Sequence, residues 1–96
     1  MRVWIMYDIS SNKLRHKIAK SCKQMGLKRV QKSVFYGQTK HSLLQRFQTA
    51  SLALLSDKKD SILILPVTKK GMKKLSPLSK KRQWKAFKNK RNTRFL

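Results

Sequence analysis

The run Val3-Trp4-Ile5-Met6-Tyr7 constrains the fold more than any other stretch of this chain. Its residues are apolar or aromatic without alternation, and Ser10-Ser11-Asn12 follows closely, so the pattern predicts a strand buried on both faces. A strand with one solvated face would carry polar residues at every second position. Asp8 stands at the end of the run, where strand hands over to helix, and it is the only carboxylate in the first 56 residues. Position and isolation together make Asp8 the first candidate for chemistry.

The setting of that carboxylate is strongly basic. Lys and Arg number 25 against three acids, a formal net charge of +22 on 96 residues. A field of that sign attracts polyanions, either nucleic acid or an anionic membrane surface. No stretch approaches the roughly 18 apolar residues of a spanning helix, and the first residues carry a strand pattern without a small-residue cleavage site. The expectation is a soluble, cytoplasmic protein with a nucleic-acid partner and no membrane. Ninety-six residues make one domain whose own burial leaves it marginally stable, so a partner protomer would help. The single cysteine, Cys22, excludes an internal disulfide framework and leaves no Cys cluster for structural zinc.

After the opening strand, Ser10 or Ser11 can cap a helix whose apolar face is Leu14, Ile18, Cys22 and Met25. Gly26 supplies the stop, because a helix often ends in a left-handed residue that glycine adopts without strain. On this spacing Cys22 is a small core hydrophobe, while Lys13, Lys17 and Lys20 share a solvated face. Arg29 to Gly37 is rich in β-branched and aromatic residues and predicts a second strand, with Gly37 marking a bend before a short third strand across Gln38 and Thr39. From about Ser42, Leu43/Leu44, Phe47, Ala50/Ser51 and Leu54/Leu55 predict a helix ending near Ser56. Asp57 to Asp60 is a polar turn, and Ile62-Leu63-Ile64-Leu65 is a strand stopped by Pro66.

The order strand, helix, hairpin, helix, strand is the α+β pattern of a ferredoxin-like βαββαβ sandwich, an antiparallel sheet with two helices on one side. Two helices cover one face only, yet the first and last strands are apolar on both. The economical cover for the open face is a second copy of it, which predicts a two-fold homodimer joined through the sheet faces. From Lys69 the composition shifts: residues 69–96 hold 12 of the basic residues and no acid. The domain is therefore expected over residues 1–75. Residues 76–96 are expected as a basic C-terminal tail, partly helical through Trp84 and Phe87 or ordered on a partner.

Three segments resemble the CRISPR-associated protein two family, the partner of the integrase in spacer acquisition. They are Tyr7-Asp8-Ile9-Ser10 leading into Asn12-Lys13-Leu14-Arg15; Gly26 to Gly37, similar to the family's G-x-x-R-V-Q-x-S-V-F-x-G; and Asp60 to Pro66, similar to its late strand. The resemblance implies a ferredoxin-like homodimer in a prokaryotic cytoplasm, a scaffold that grips duplex prespacer DNA and bridges integrase dimers. It also implies, for some members, a metal-dependent endonuclease of RNA or DNA whose aspartate at the end of strand one holds Mg²⁺; Asp8 matches that aspartate as catalytic and metal-binding residue. Leu14 stands where an arginine often follows the lysine. The tail is longer and more basic than the family's usual end, which moves part of the phosphate binding there.

Magnesium accepts one or two carboxylates, with waters and substrate phosphate completing the octahedron, so one Asp8 per protomer doubled by a two-fold axis just meets that need. The plainer role for Asp8 is to anchor the following loop by accepting backbone N–H bonds at the helix start. His16 and His41 are isolated and fit surface or capping positions better than catalysis, and Asp57 and Asp60 fit local bonding in their turn. The amides and hydroxyls of Ser10, Ser11 and Asn12 suit phosphate as well as capping. For duplex DNA the candidates are Lys13, Arg15, Lys17 and Arg29, with Lys80, Lys81 and Arg82 in the tail. Contacts to phosphate position a protein without reading bases, which is what a scaffold for varied sequences needs. An RNA-binding module of the same fold would stack bases on exposed sheet aromatics, a signature that Lys32 to Gly37 does not match.

Overall fold

The computed structural model describes residues 1–56 and 58–74. The expected tail with Trp84, Phe87, Lys80, Lys81 and Arg82, the boundary at residue 75 and the side chain of Asp57 lie outside the described residues. Seven elements follow one another: β1 (Arg2–Asp8), α1 (Asn12–Gln24), β2 (Lys28–Gln31), β3 (Val34–Gln38), α2 (His41–Leu52), β4 (Ser61–Val67) and α3 (Lys69–Lys73). The strands form one sheet in the order β2-β3-β1-β4, all neighbours antiparallel. This is the expected α+β, ferredoxin-like arrangement, with an additional short helix after β4.

β1 is central because its residues are apolar on both sides. Val3, Ile5 and Tyr7 point to the face covered by α1 and α2, where Ile18, Cys22, Phe35, Leu44 and Phe47 complete the main core. Trp4 and Met6 point to the other face and meet Val30, Val34 and Tyr36. Trp4 and Tyr36 are register partners, their ring centroids 4.8 Å apart.

Helix α1 starts where its cap does: the Ser11 hydroxyl accepts the N–H of Leu14 at 3.2 Å. It ends in a Schellman motif, Leu27 N–H to the Cys22 carbonyl and Gly26 N–H to that of Lys23, with Gly26 at φ +91°. Its expected apolar stripe is the buried one for Ile18, Cys22 and Met25, with Leu14 half-buried.

Four expectations are corrected. The hairpin turn falls at Lys32-Ser33, inside the stretch read as one strand, and an irregular register between Arg29 and Gln31 accompanies it. Gly37 lies within β3 rather than at a bend; a Cβ there would stand 3.2 Å from the Leu27 Cα, so glycine permits close approach of the chain. Helix α2 stops at Leu52, four residues early. Pro66 sits inside β4 opposite Val3, which is tolerated because β4 is an outer strand.

The open face is also partly covered from within the chain. Thr68 caps α3, its hydroxyl accepting the Gly71 N–H at 3.0 Å, and α3 carries Met72, 1% exposed, onto Trp4, Tyr36 and Val30. On the β4 side of the same face, Leu63 and Leu65 remain 59% and 47% exposed, while their neighbours Ile62 and Ile64 pack on the main core.

Candidate nucleic-acid interface

Six positions along one side of α1, five of them polar, form one wall of a basic cleft. Asn12, Arg15, His16, Ala19, Lys20 and Lys23 share a stripe at helical spacing, and it faces Arg29, Lys32 and Ser33 of the hairpin across a cleft of about 700 Å³. No carboxylate lines this cleft among the described residues. Tyr7 contributes to its wall, stacked beside Phe35 with ring centroids 6.3 Å apart.

Two guanidinium groups are held in place. Arg15 Nη1 donates to the carbonyl of Ile9 at 2.8 Å and to that of Ser10 at 3.3 Å, across the β1–α1 turn. Arg29 lies over the Phe35 ring, 5.2 Å from its centroid, a cation–π geometry that steers an otherwise exposed side chain. The Tyr7 hydroxyl donates to the Lys32 carbonyl at 3.5 Å, a long contact. Burial pushes the Tyr7 phenol above its ordinary value of 10.0, with Arg29 acting in the opposite direction. The phenol is therefore protonated at physiological pH and available as a donor.

Of the expected DNA-contacting residues, Arg15 and Arg29 meet in the cleft. Lys13 is exposed on the first turn of α1, outside its lining, and Lys17 faces a separate groove beside Met25, Arg46 and Phe47. Lys23 and Lys32 join the lining although neither is among the contacts expected from the sequence, and His16, isolated in the sequence, lies among them. His16, Lys20 and Lys23 sit four and three residues apart, a visible basic stripe, whereas Lys32 joins them only once the turn is placed correctly.

Asp8 is exposed at the tip of β1, opposite Ser61 in the register. It shares strand parity with Trp4 and Met6, which puts it on the sheet face away from the cleft. The loop-anchoring role expected for Asp8 belongs to Asp60, whose two oxygens accept the N–H groups of Ser10 at 3.1 Å and Ser56 at 2.9 Å. These bonds hold the Asp60 carboxyl below its ordinary value, Ser56 more than Ser10. Among the described residues no three His, Cys, Asp or Glu side chains converge on a metal position. Of the two described aspartates, Asp60 is committed to backbone N–H groups, so Asp8 would hold Mg²⁺ only as one ligand among waters, phosphates and a group from elsewhere. No helix of the described residues is long and apolar enough to cross a membrane.

Known proteins share this architecture. The CRISPR-associated endoribonuclease Cas2 of Desulforudis audaxviator is 30% identical over 73 residues, spanning 76% of this chain and 69% of that protein. The CRISPR-associated endoribonuclease Cas2 of Aeropyrum pernix is 38% identical over 65 residues, 68% of this chain and 71% of the relative. The crystal structure of Streptococcus pyogenes Cas2 superposes with a TM-score of 0.70 at 25% identity, covering 82% of this chain and all of that one. The family model described as CRISPR associated protein Cas2 matches residues 1–75, from the first strand past the last helix described above. Matched over residues 1–75 and similar in sequence and fold to these relatives, the chain belongs to the CRISPR-associated Cas2 family.

Proposed function

We propose that this chain acts in CRISPR adaptation as a non-catalytic scaffold, a homodimer that grips duplex prespacer DNA by its backbone and bridges integrase subunits in a prokaryotic cytoplasm. The observation that carries the reading is the segregation of charge: Arg15, Lys20, Lys23, Arg29 and Lys32 converge on one side of the sheet with no carboxylate among them. Such an array neutralises phosphates and is indifferent to bases. Lys13 and Lys17 extend it along α1, and Lys80, Lys81 and Arg82 belong to the same interface in this reading. The exposed Leu63 and Leu65, continuous with Met6 and Val34, supply the dimer contact. A two-fold pair then presents every cation twice.

Titrating a labelled duplex at several salt concentrations tests the scaffold. Log affinity is expected to fall linearly with log salt, at about 0.9 per phosphate neutralised, with the same affinity for unrelated sequences. A flat salt response or a strong preference for one sequence overturns it.

A second reading is metal-dependent cleavage of RNA or DNA. The exposed Asp8 and the endoribonuclease named for the Desulforudis and Aeropyrum relatives favour it. In that reading two Asp8 carboxylates, one from each copy, would hold Mg²⁺, which would supply charge stabilisation at a substrate phosphate. Asp8→Ala separates the readings. Cleavage lost while duplex binding persists supports the enzyme as an additional activity; cleavage unchanged removes Asp8 as its catalyst.

A further inference from the structure

We propose that the cleft between α1 and the β2–β3 turn is also a small-molecule site, one that takes a compact oligophosphate such as the chain of a nucleoside triphosphate. The inference goes beyond the duplex-binding reading and rests on shape as well as charge. A volume of about 700 Å³ falls within the range of ligand pockets, roughly 300 to 1,000 Å³. Five permanent cations, Arg15, Lys20, Lys23, Arg29 and Lys32, surround that volume, with His16 beside them. They come from a helix, a strand and a turn, so they reach a compact anion in the open cleft from different directions.

Holding five like charges around one hollow opposes folding through self-repulsion. The chain supplies no counter-charge there, since no carboxylate lines the cleft among the described residues. An external polyanion relieves that repulsion. A duplex is convex and meets the rim; a phosphate chain enters. Two of the cations are prepared for it: Arg15 is fixed by the Ile9 and Ser10 carbonyls, and Arg29 by the Phe35 ring. Arginine forks so held bind phosphate oxygens with little further ordering. Lys20, Lys23 and Lys32 then close on the remaining oxygens as mobile point charges.

Isothermal titration calorimetry of the full chain with inorganic tripolyphosphate, ATP and inorganic phosphate, at constant ionic strength and without divalent metal, tests the site. The expected result is saturable binding of tripolyphosphate near one per chain and much weaker binding of inorganic phosphate. Equal affinities for tripolyphosphate and ATP assign recognition to the phosphate chain alone; tighter ATP adds a contact to the nucleoside. Lys23→Gln with Lys32→Gln should weaken tripolyphosphate about tenfold or more, each lost charge-assisted bond being a substantial part of the affinity. Lys58→Gln with Lys59→Gln removes the same charge outside the cleft and should change it less than about twofold, as expected for exposed, screened charges. These are surface lysines, and circular dichroism confirms that both variants fold. Equal weakening by the two pairs, or no saturable binding, overturns the proposal. Because no duplex is present, its failure leaves the scaffold reading standing.

Discussion

The Asp60 carboxylate accepts the backbone N–H of Ser10 at 3.1 Å across fifty residues of sequence, joining the loop before β4 to the β1–α1 turn. Its other oxygen accepts the Ser56 N–H at 2.9 Å. The same turn carries the carbonyls that fix Arg15, so a carboxylate outside the cleft helps to set the geometry inside it.

This clamp predicts a particular response to acid. The folded carboxyl titrates below its ordinary value of 3.8, so its stabilisation is complete above that value and disappears as pH falls through the lowered one. Asp60→Asn removes the ionisable group. Thermal unfolding followed from neutral pH to about pH 2 should therefore show a lower melting temperature for the variant at neutrality and a shallower acid limb.

Substituting Leu63 and Leu65 together with lysine should yield a folded monomer by light scattering, where the parent is expected as a dimer. Complete burial of a leucine contributes about 1.5 to 3 kcal/mol, and both side chains are about half-exposed in the single chain. Main-core packing belongs to Ile62 and Ile64 on the opposite face, so circular dichroism should be retained.

Met72→Ala should destabilise the chain by about 2 to 5 kcal/mol in urea titrations, the range for removing a buried long side chain. Met72 is 1% exposed against Trp4 and Tyr36. The loss should also alter tryptophan fluorescence near Trp4, a local signature that distinguishes detachment of α3 from general loosening.

Cys22 should resist a disulfide-exchange reagent at pH 8 until the chain is unfolded. Burial pushes its thiol up to about 12, leaving almost no thiolate, and the side chain is fully enclosed. Rapid native labelling would show that α1 separates readily from the sheet.

What could be read in the sequence follows from how local each signal is. The unbroken apolar run of β1, the Ser11 cap and the Gly26 stop each act within a few residues, and each is found in place. The hairpin turn was misplaced because Lys32-Ser33 carries none of the usual Asn-Gly or Gly-containing signals, while Gly37, which looks like a turn residue, answers to the nearby Leu27. Pro66 reads as a stop only if its strand has neighbours on both sides. For the site, Arg15 and Arg29 stand out in the sequence as basic residues, but their place in one cleft depends on the hairpin. Asp60 bonds its own turn as expected, but its hold on Ser10 in place of Asp8 is illegible locally, because the Ser10–Asp60 bond is a tertiary contact.

The sheet has a consequence for how such a chain can change over generations. One layer of backbone stands between the tip of β1 with Asp8 and the cations gathered on the helix side. The side chains at the two addresses stand on opposite faces, and only the Ile9-Ser10 backbone joins them. Descendants can therefore exchange the aspartate and keep the gathered cations, or the reverse, and an engineer can alter one set of side chains without replacing the other.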